Sequence, residues 1–531
     1  MHRALGIAEV VQMVCMELGP PKDKIYSEVV MPTYARTSLN ALARTSTIFR
    51  DPALDVLWFN ITVPRLLIYS MPPDLWEKVD DVEDLQLTHF RPTRAMTPND
   101  WIRPHFYSTR VRVLRVSNWS RHDFSDVFAT VALCPPPPTL FPNLHIVNWN
   151  VNFPSVGGKS LPDFRPFLGP RISSLSFGTL FSGPHLSLLP HIAVIHPELK
   201  KLTIKLGNNA HLDRLTSAVS TLVCALHRLE FLDVASLDPR ALEHVGRLPT
   251  LRSLTLRDFK CGSFSHGNED VIFPILEDLT VRSDSINSAT ELISLCSNSP
   301  VRAVDINLFA SPHGAAMMAL YTALSEHCSN ATLRQVTVKL TPALDERPRV
   351  GRYSLQPLLY IPNLTSVELS CPNGFDLDDG AVLELARAWP HLEELILRCV
   401  ETPTAPHITL KGIRTLAQHC SALRRLHLSL DATIVPSLED GPGRRIRQDT
   451  LQHLGVEASA IGAPIMPVAK FLSATFSNLT SISTEYEELL DRGMEGAILT
   501  NHFAWKEVER LLPDLLEIRE QERRWALDMI S

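Results

Sequence analysis

The chain has 531 residues, of which 45% are hydrophobic and 21% are charged. This length exceeds what one compact core accommodates, so we expect several domains or a repeat array, and the composition excludes wholesale disorder. A formal net charge of −7 excludes a global attraction to nucleic acid or to an anionic membrane.

The nine cysteines are scattered along the chain, and no two have the C-x-x-C spacing. An odd, scattered set in a long chain indicates reduced thiols rather than a disulfide framework, and therefore a protein of the cytoplasm, the nucleus or both. No run of 18 apolar residues occurs, so the sequence predicts no membrane-spanning helix. We expect neither a membrane nor nucleic acid as a partner.

Three short helices are predicted within residues 1–60. In the first, apolar residues recur at the spacing of one helix face. They are Ile7, Val10, Val11, Val14 and Leu18. The apolar positions assigned to the second helix are Leu39, Leu42, Ala43 and Phe49. The third is predicted to begin at Asp51 and Pro52, because an acidic N-cap followed by proline is typical of a helix start.

This segment resembles an F-box domain. The resemblance is carried by Leu5, Ile7, Glu9, Val10 and Val11, by Leu39, Leu42, Ala43, Arg44, Thr45 and Phe49, and by Ala53, Leu54, Leu57 and Trp58. In that family the bundle docks through its apolar face onto a Skp-type adaptor, which tethers it to a cullin–RING ubiquitin ligase. The implied adaptor contacts are Leu5, Ile7, Val10, Val11, Leu39, Leu42, Phe49, Leu57 and Trp58. Alternatively, the three helices only cap the N-terminal end of a repeat array.

After a proline-rich connector at residues 61–105, an apolar-x-x-apolar-x-apolar template recurs about every 28 residues through residues 106–490. This period is close to that of leucine-rich repeats, roughly 20–29 residues. The first positions of the fourteen copies are Val111, Leu144, Ile172, Leu199, Leu229, Leu251, Leu276, Val301, Leu333, Leu364, Leu392, Leu423, Leu451 and Leu479.

Proline stands two places before the first apolar position in seven copies, which chance does not explain. These prolines are Pro142, Pro170, Pro197, Pro249, Pro274, Pro362 and Pro390. Proline ends the preceding helix, and the last two apolar positions of the template share one side of a short strand. The sequence therefore predicts an α/β fold, in which the helical bundle precedes a leucine-rich-repeat solenoid with parallel strands on its concave face and helices on its convex face. An ordinary α/β domain is the alternative, but it does not explain the proline register.

Two segments, Leu416–Leu428 and Leu385–Leu397, resemble the cysteine-containing leucine-rich repeats found in F-box proteins, and Cys420 stands where that family places its cysteine. Residues 491–531 have apolar positions at roughly helical spacing between Phe503 and Ile530. We expect a helix that caps the last repeat, because open solenoid ends need a cap. A partner-binding tail is the alternative.

No nucleophile elbow, Walker loop or H-E-x-x-H motif is present, and no potential metal ligands are clustered. The sequence therefore predicts a protein that is not an enzyme and that uses no cofactor or metal. The order of the modules favours a substrate-recognition subunit of a Skp–cullin–F-box ubiquitin ligase. It would bind a Skp-type adaptor, and through it a cullin, by the N-terminal helices, and a protein substrate by the solenoid. The alternative is a leucine-rich-repeat scaffold that works independently of any ligase.

The seventh position of the template is predicted to face the concave surface. Cations occupy it at Lys205, Arg257, Arg282, Lys339 and Arg398, whereas Glu457 and Glu485 occupy it in the last two copies. Arginine can form paired hydrogen bonds with carboxylate or phosphate, so this strip favours an acidic or phosphorylated substrate peptide. Alternatively, the cations only keep exposed strand ends soluble.

Overall fold

The computed structural model of the chain describes residues 7–19, 31–80, 88–116, 122–136, 140–149, 167–178, 186–205, 212–260, 273–297, 299–309, 314–341, 350–399, 406–437, 446–457, 459–484 and 496–528. The chain divides into two compact units, residues 1–241 and 242–531. The helix Pro239–Gly246 spans the division.

Three helices open the first unit: α1 (Ala8–Glu17), α2 (Thr33–Thr45) and α3 (Thr47–Phe59). They enclose a small apolar core that consists of Val11, Cys15, Leu39, Phe49 and Ala53. The predicted start of the third helix at Asp51 is wrong, because Ser46 is the N-cap and its hydroxyl accepts a hydrogen bond from the Ile48 N–H at 3.4 Å. Phe49 therefore belongs to α3 rather than to the second helix.

The strands of the first unit are β1 (Asn60–Thr62), β2 (Trp76–Asp80), β3 (Thr88–Pro92), β4 (Val113–Val116), β5 (His122–Asp123), β6 (Ile146–Trp149), β7 (Ser174–Phe177), β8 (Lys201–Ile204) and β9 (Phe231–Val234). β1, β4, β6, β7, β8 and β9 pair in parallel in that order. β2 and β3 form an antiparallel hairpin, to which β5 adds in parallel. Because α3 runs directly into β1, the parallel sheet begins at Asn60, inside the segment predicted to be purely helical.

The helices of the first unit after α3 are Val63–Ser70, Ile102–Ser108, Ser125–Leu133, Leu189–Ile195 and Leu212–Cys224, together with the 3-10 helix Pro98–Trp101. The predicted connector thus contains two helices, the 3-10 turn and the β2–β3 hairpin. Asp100 closes a capping box on the 3-10 turn with Thr97, and Arg94 forms two hydrogen bonds of 2.9 Å with the same carboxylate. The connector is therefore a folded part of the first unit.

The strands of the second unit are β10 (Ser253–Leu256), β11 (Asp278–Ser283), β12 (Ala303–Leu308), β13 (Gln335–Leu340), β14 (Val350–Gly351), β15 (Ser366–Cys371), β16 (Phe375–Asp376), β17 (Glu394–Cys399), β18 (Arg425–His427), β19 (His453–Gly455) and β20 (Ser481–Ser483). All except β14 and β16, which pair with each other, form one parallel sheet in chain order. The helices are Ile286–Ser294, Gly314–His327, Arg352–Leu355, Asp379–Ala388, Leu410–His419, Met466–Thr475 and Ala497–Asp528, with a 3-10 helix at Gln356–Tyr360.

Each of the fourteen template copies supplies one parallel strand, five in the first unit and nine in the second, and β1 is one strand more. The first apolar position is at most 4% exposed in every copy. All seven prolines lie in the turn that separates a helix or loop from the next strand. The predicted leucine-rich-repeat architecture, with one strand for each repeat, is therefore confirmed within each unit.

The residue three places before the first apolar position is also buried in most repeats. It is Phe141, Leu226, Leu248, Phe273, Ile361, Trp389, Cys420 and Phe476 in eight of them. The Cys420 thiol donates weak hydrogen bonds to the carbonyl oxygens of Trp389 (3.6 Å) and Ala386 (3.7 Å) in the preceding repeat. Burial raises the pKa of Cys420 to about 12, so this thiol is protonated and joins two repeats.

The helix Ala497–Asp528 covers the free edge of β20. The Ile482 N–H donates to Glu509 Oε1 at 2.8 Å, and the Ile482 carbonyl accepts from Lys506 Nζ at 2.9 Å. The buried Trp505 indole donates to the Ser459 carbonyl at 2.9 Å. Side chains of this helix thus satisfy backbone groups that an edge strand would otherwise expose. Among the described helices, none combines the length and the apolar character that crossing a membrane requires.

Candidate functional site

The apolar stripe of α1 is divided between the bundle core and the surface. Val11 is fully buried, whereas Ile7, Val14 and Leu18 are 50%, 38% and 37% exposed. These three residues are spaced so that they line one edge of α1, beside the buried edge. We call Ile7, Val14 and Leu18 the α1 face. The stripe is wider than the core requires, and the excess is exposed to solvent.

The other predicted adaptor contacts have different positions. Leu39 and Phe49 belong to the core, and Leu42 and Leu57 pack partly buried against it. Val10 is half-buried, and Leu5 lies outside the described residues. Val11, Leu39 and Phe49 lie in the core and support the bundle, and their contact with an adaptor stays a prediction. Helical periodicity did not indicate three further exposed apolar side chains of the bundle, namely Met13, Tyr34 and Ile48. The one sequence signal for these three side chains is that each is apolar and stands outside the positions assigned to the helical stripes.

The bundle packs against the rest of the first unit. Trp58, another predicted adaptor contact, stacks on Tyr107 with ring centroids 4.2 Å apart. Arg110 pairs with Asp51 at 2.6 Å and also with Asp55. Both contacts join α3 to the helix Ile102–Ser108 and the turn after it, so α3 is anchored at its C-terminal half, whereas the α1 face is not used in these contacts.

The second unit aligns three of the predicted substrate-binding cations. In the register of β11, β12, β13, β15 and β17, one row of Cα partners is Arg282, Asn307, Lys339, Ser370 and Arg398. The strand residues that flank Arg282, Lys339 and Arg398 are buried, so the cations project to the opposite side of the sheet. We call this row the cation row. The sequence predicted its residues, but only the sheet register shows that Asn307 and Ser370 separate them.

Two acids lie in the row beside the cation row, so the surface is less basic than predicted. Lys339 Nζ pairs with Glu368 Oε1 at 2.9 Å. Asp305 accepts a hydrogen bond of 2.8 Å from the Asn307 amide. Burial raises the pKa of Asp305, and the nearby cations Lys339 and Arg282 partly oppose that rise. Arg282 is exposed and makes no ion pair within 4 Å with any other described residue.

Of the remaining predicted substrate contacts, Arg257 directly follows Leu256, the Cα partner of Val281, and therefore lies beside the Arg282 end of the row. Arg257 is half-buried directly after β10, and Lys205 is half-buried after β8 in the first unit. Glu457 is 4% exposed and does not contribute to the surface. Glu485 lies outside the described residues. In the described part of the chain, no three or more His, Cys, Asp or Glu side chains are grouped so that they could hold a metal ion.

No protein-family model matches the sequence, and no curated protein matches it. Among solved structures, the chain is similar to the crystal structure of an internalin from Listeria monocytogenes. That likeness has 14% sequence identity and a TM-score of 0.27, and it covers 65% of this chain and 74% of the internalin chain.

The strand register and the buried template positions decide the fold. It is a leucine-rich-repeat fold. Stacked repeats of this kind present an extended surface, which repeat proteins use for binding.

Proposed function

We propose that this chain is a substrate-recognition subunit of a Skp–cullin–F-box ubiquitin ligase. The N-terminal bundle would dock on a Skp-type adaptor, and the repeats would bind a protein substrate. The chain would then act by raising the concentration of substrate near the ubiquitin-charged enzyme, with no catalytic residue of its own.

The exposed α1 face carries this proposal. Ile7, Val14 and Leu18 belong to the same apolar stripe as Val11, but the core buries only part of that stripe. Apolar side chains that line one edge of a helix offer anchors for a partner, because burying each one removes apolar surface from water. The F-box resemblance of the sequence supports a Skp-type adaptor as that partner.

A ligase-independent scaffold is the second candidate, and the anchoring of α3 favours it. The backbone N–H of Arg112 donates to the Phe59 carbonyl at 3.0 Å, and Trp58 stacks on Tyr107. These contacts are those expected of a cap that closes the first unit. A cap, however, does not require the exposed α1 face. Adaptor docking needs Ile7 and Val14 as contacts, whereas a scaffold with a helical cap does not.

Co-purification of the full chain with a Skp-type adaptor tests the proposal. We expect the double substitution Ile7→Glu and Val14→Glu to lower adaptor affinity at least tenfold, because it places two charges in an apolar interface. The matched control is Val194→Glu, which changes an 80% exposed valine of the helix Leu189–Ile195. Failure of the unmodified chain to bind any Skp-type adaptor would favour the independent scaffold.

A further inference from the structure

We propose that the cation row binds an acidic peptide in the polyproline II conformation, with its anionic side chains three residues apart. This inference deepens the proposed function, since it names the class of substrate segment that the repeats would bind. The site lies wholly within the second unit, between Arg282 on β11 and Arg398 on β17.

The spacing of the cations follows from the sheet register. Arg282, Lys339 and Arg398 are separated by one strand each, which carries Asn307 or Ser370 at the same level. Neighbouring strands lie about 4.8 Å apart, so the Cα atoms of successive cations are about 9.6 Å apart. A peptide that crosses the strands would meet a positive charge at each such interval.

A polyproline II helix reproduces this interval. It has three residues per turn and rises about 3.1 Å per residue, so side chains at i and i+3 point the same way about 9.3 Å apart. In a β-strand the side chains on one face are about 6.6 Å apart, which places only every third of them near a cation. The cation row therefore matches the polyproline II period and not the β-strand period.

The charges of the row favour an anionic ligand at Arg282 above all. This guanidinium is exposed and forms no ion pair within 4 Å with the described residues. The Lys339 ammonium group has three N–H donors and uses one toward Glu368, so the other two can donate to an anionic side chain of a ligand. The Asp305 carboxylate is engaged by the Asn307 amide. A ligand anion can therefore pair with Arg282 without displacing a carboxylate of the described residues.

The backbone of the ligand provides a second reason for this conformation. A polyproline II segment has no internal hydrogen bonds, whereas the backbone groups of an α-helix are already paired. Asn307 lies between Arg282 and Lys339 and has an amide oxygen that can accept a hydrogen bond. Ser370, small and buried, leaves room between the longer Lys339 and Arg398 side chains. A narrow segment with a free backbone fits this alternation of long and short side chains.

Fluorescence anisotropy with the full chain and two labelled peptides tests the proposal. One peptide has glutamate at every third position of a proline-rich frame, and the other has the same composition with glutamate at every second position. We expect the first peptide to bind at least tenfold more tightly, with an affinity that falls as salt rises. A third peptide, with phosphoserine at every third position, shows whether phosphate or carboxylate is the preferred anion. If the charge reversal Arg282→Glu abolishes binding of this third peptide, that result also supports the site.

Substitutions locate the binding on the protein. Arg282→Glu should weaken the three-spaced peptide at least tenfold, and Arg282→Gln and Lys339→Gln should each weaken it several-fold. The matched control is Lys411→Glu, a charge reversal at an exposed lysine on the helix Leu410–His419, which should change the affinity less than twofold. Thermal unfolding of each variant verifies that the second unit remains folded.

Two results would overturn the inference. One is equal affinity for the two glutamate peptides, because the spacing argument would then fail. The other is unchanged affinity in both Arg282 variants. Neither result bears on adaptor binding, since the α1 face lies in the first unit and is tested by co-purification. If the chain binds the peptide but no adaptor, the inference about the cation row stands and the proposed role in a ubiquitin ligase is wrong.

Discussion

Glu457 Oε1 accepts a hydrogen bond from the backbone N–H of Cys399 at 2.6 Å, although β18 lies between the strands to which the two residues are attached. Ser429, which follows β18, donates to the other carboxylate oxygen, and His427 Nε2 lies 3.4 Å from the first. Glu457 is 4% exposed and has a φ of 48°. A buried carboxylate thus acts as the acceptor for the Cys399 N–H beyond the end of the short strand β18, which is the neighbour of β17.

Substitution of Glu457 should therefore destabilise the second unit. We expect Glu457→Ala to cost roughly 2–3 kcal/mol, because the buried Cys399 N–H loses a charged acceptor. Glu457→Gln should cost less, since its amide oxygen can still accept that bond. Glu457→Gly is the control for backbone strain, because glycine adopts a positive φ freely. Urea unfolding measures all three; equal stability of the alanine variant and the unmodified chain would contradict the assigned role.

His196 should make the stability of the first unit depend on pH. It is 3% exposed, and neither ring nitrogen has a hydrogen-bond partner among the described residues. Burial lowers the pKa of His196 below its ordinary value of 6.5. The unfolded chain therefore binds the proton more readily, and stability should be greatest above pH 6.5 and fall as the pH decreases below it.

Replacement of His196 by leucine should remove this dependence. Leucine occupies the same repeat position at Leu226 and Leu248, and His196→Leu should raise the free energy of unfolding by about 1–2 kcal/mol. The matched control is Gln448→Leu at the equivalent position. Gln448 donates to the Leu423 carbonyl at 2.7 Å and accepts from the Leu451 N–H at 2.9 Å, so its loss should destabilise. Unfolding curves at pH 7.5 and pH 5.5 distinguish the two outcomes.

The Arg94–Asp100 pair should respond to much lower pH. The hydrogen bonds that Arg94 donates to Asp100 lower the pKa of this carboxyl group to about 2, against an ordinary value of 3.8. The stabilisation is therefore fully present above pH 3.8 and is lost as the pH falls toward 2. Asp100→Asn should cost about 1–2 kcal/mol at neutral pH, because it removes both the ion pair and a capping residue. It should also flatten the unfolding profile between pH 4 and pH 2, and an unchanged profile would argue against the pair as its origin.

Trp58 should contribute to stability more than to adaptor binding. Because its ring stacks on Tyr107 at 4.2 Å, Trp58→Ala should lower the free energy of unfolding by about 2 kcal/mol. A double-mutant cycle with Tyr107→Ala should give a coupling of about 0.5–1.5 kcal/mol. Adaptor affinity should fall less than in the Ile7→Glu, Val14→Glu protein. The opposite result, an intact fold with lost adaptor binding, would assign Trp58 to the adaptor interface.

The sequence alone determined the repeats. The template begins at positions such as Leu199 and Leu392, and a proline two residues earlier marks the turn. Both are local features, since strand periodicity and the fixed φ of proline act within a few residues of the chain. For the same reason the sequence indicated the helical stripe of α1 and the cations of the seventh position.

Only the tertiary structure decided which of these residues reach the surface. The stripe could not show that Val11 enters the core and Val14 does not, because that depends on how α1 packs against the other two helices. Nor could it show that Glu368 pairs with Lys339 while Glu457 is buried, because strand register and strand length bring distant residues together. Local periodicity fixes the orientation of a side chain on its own element, but burial and charge pairing depend on what packs against it.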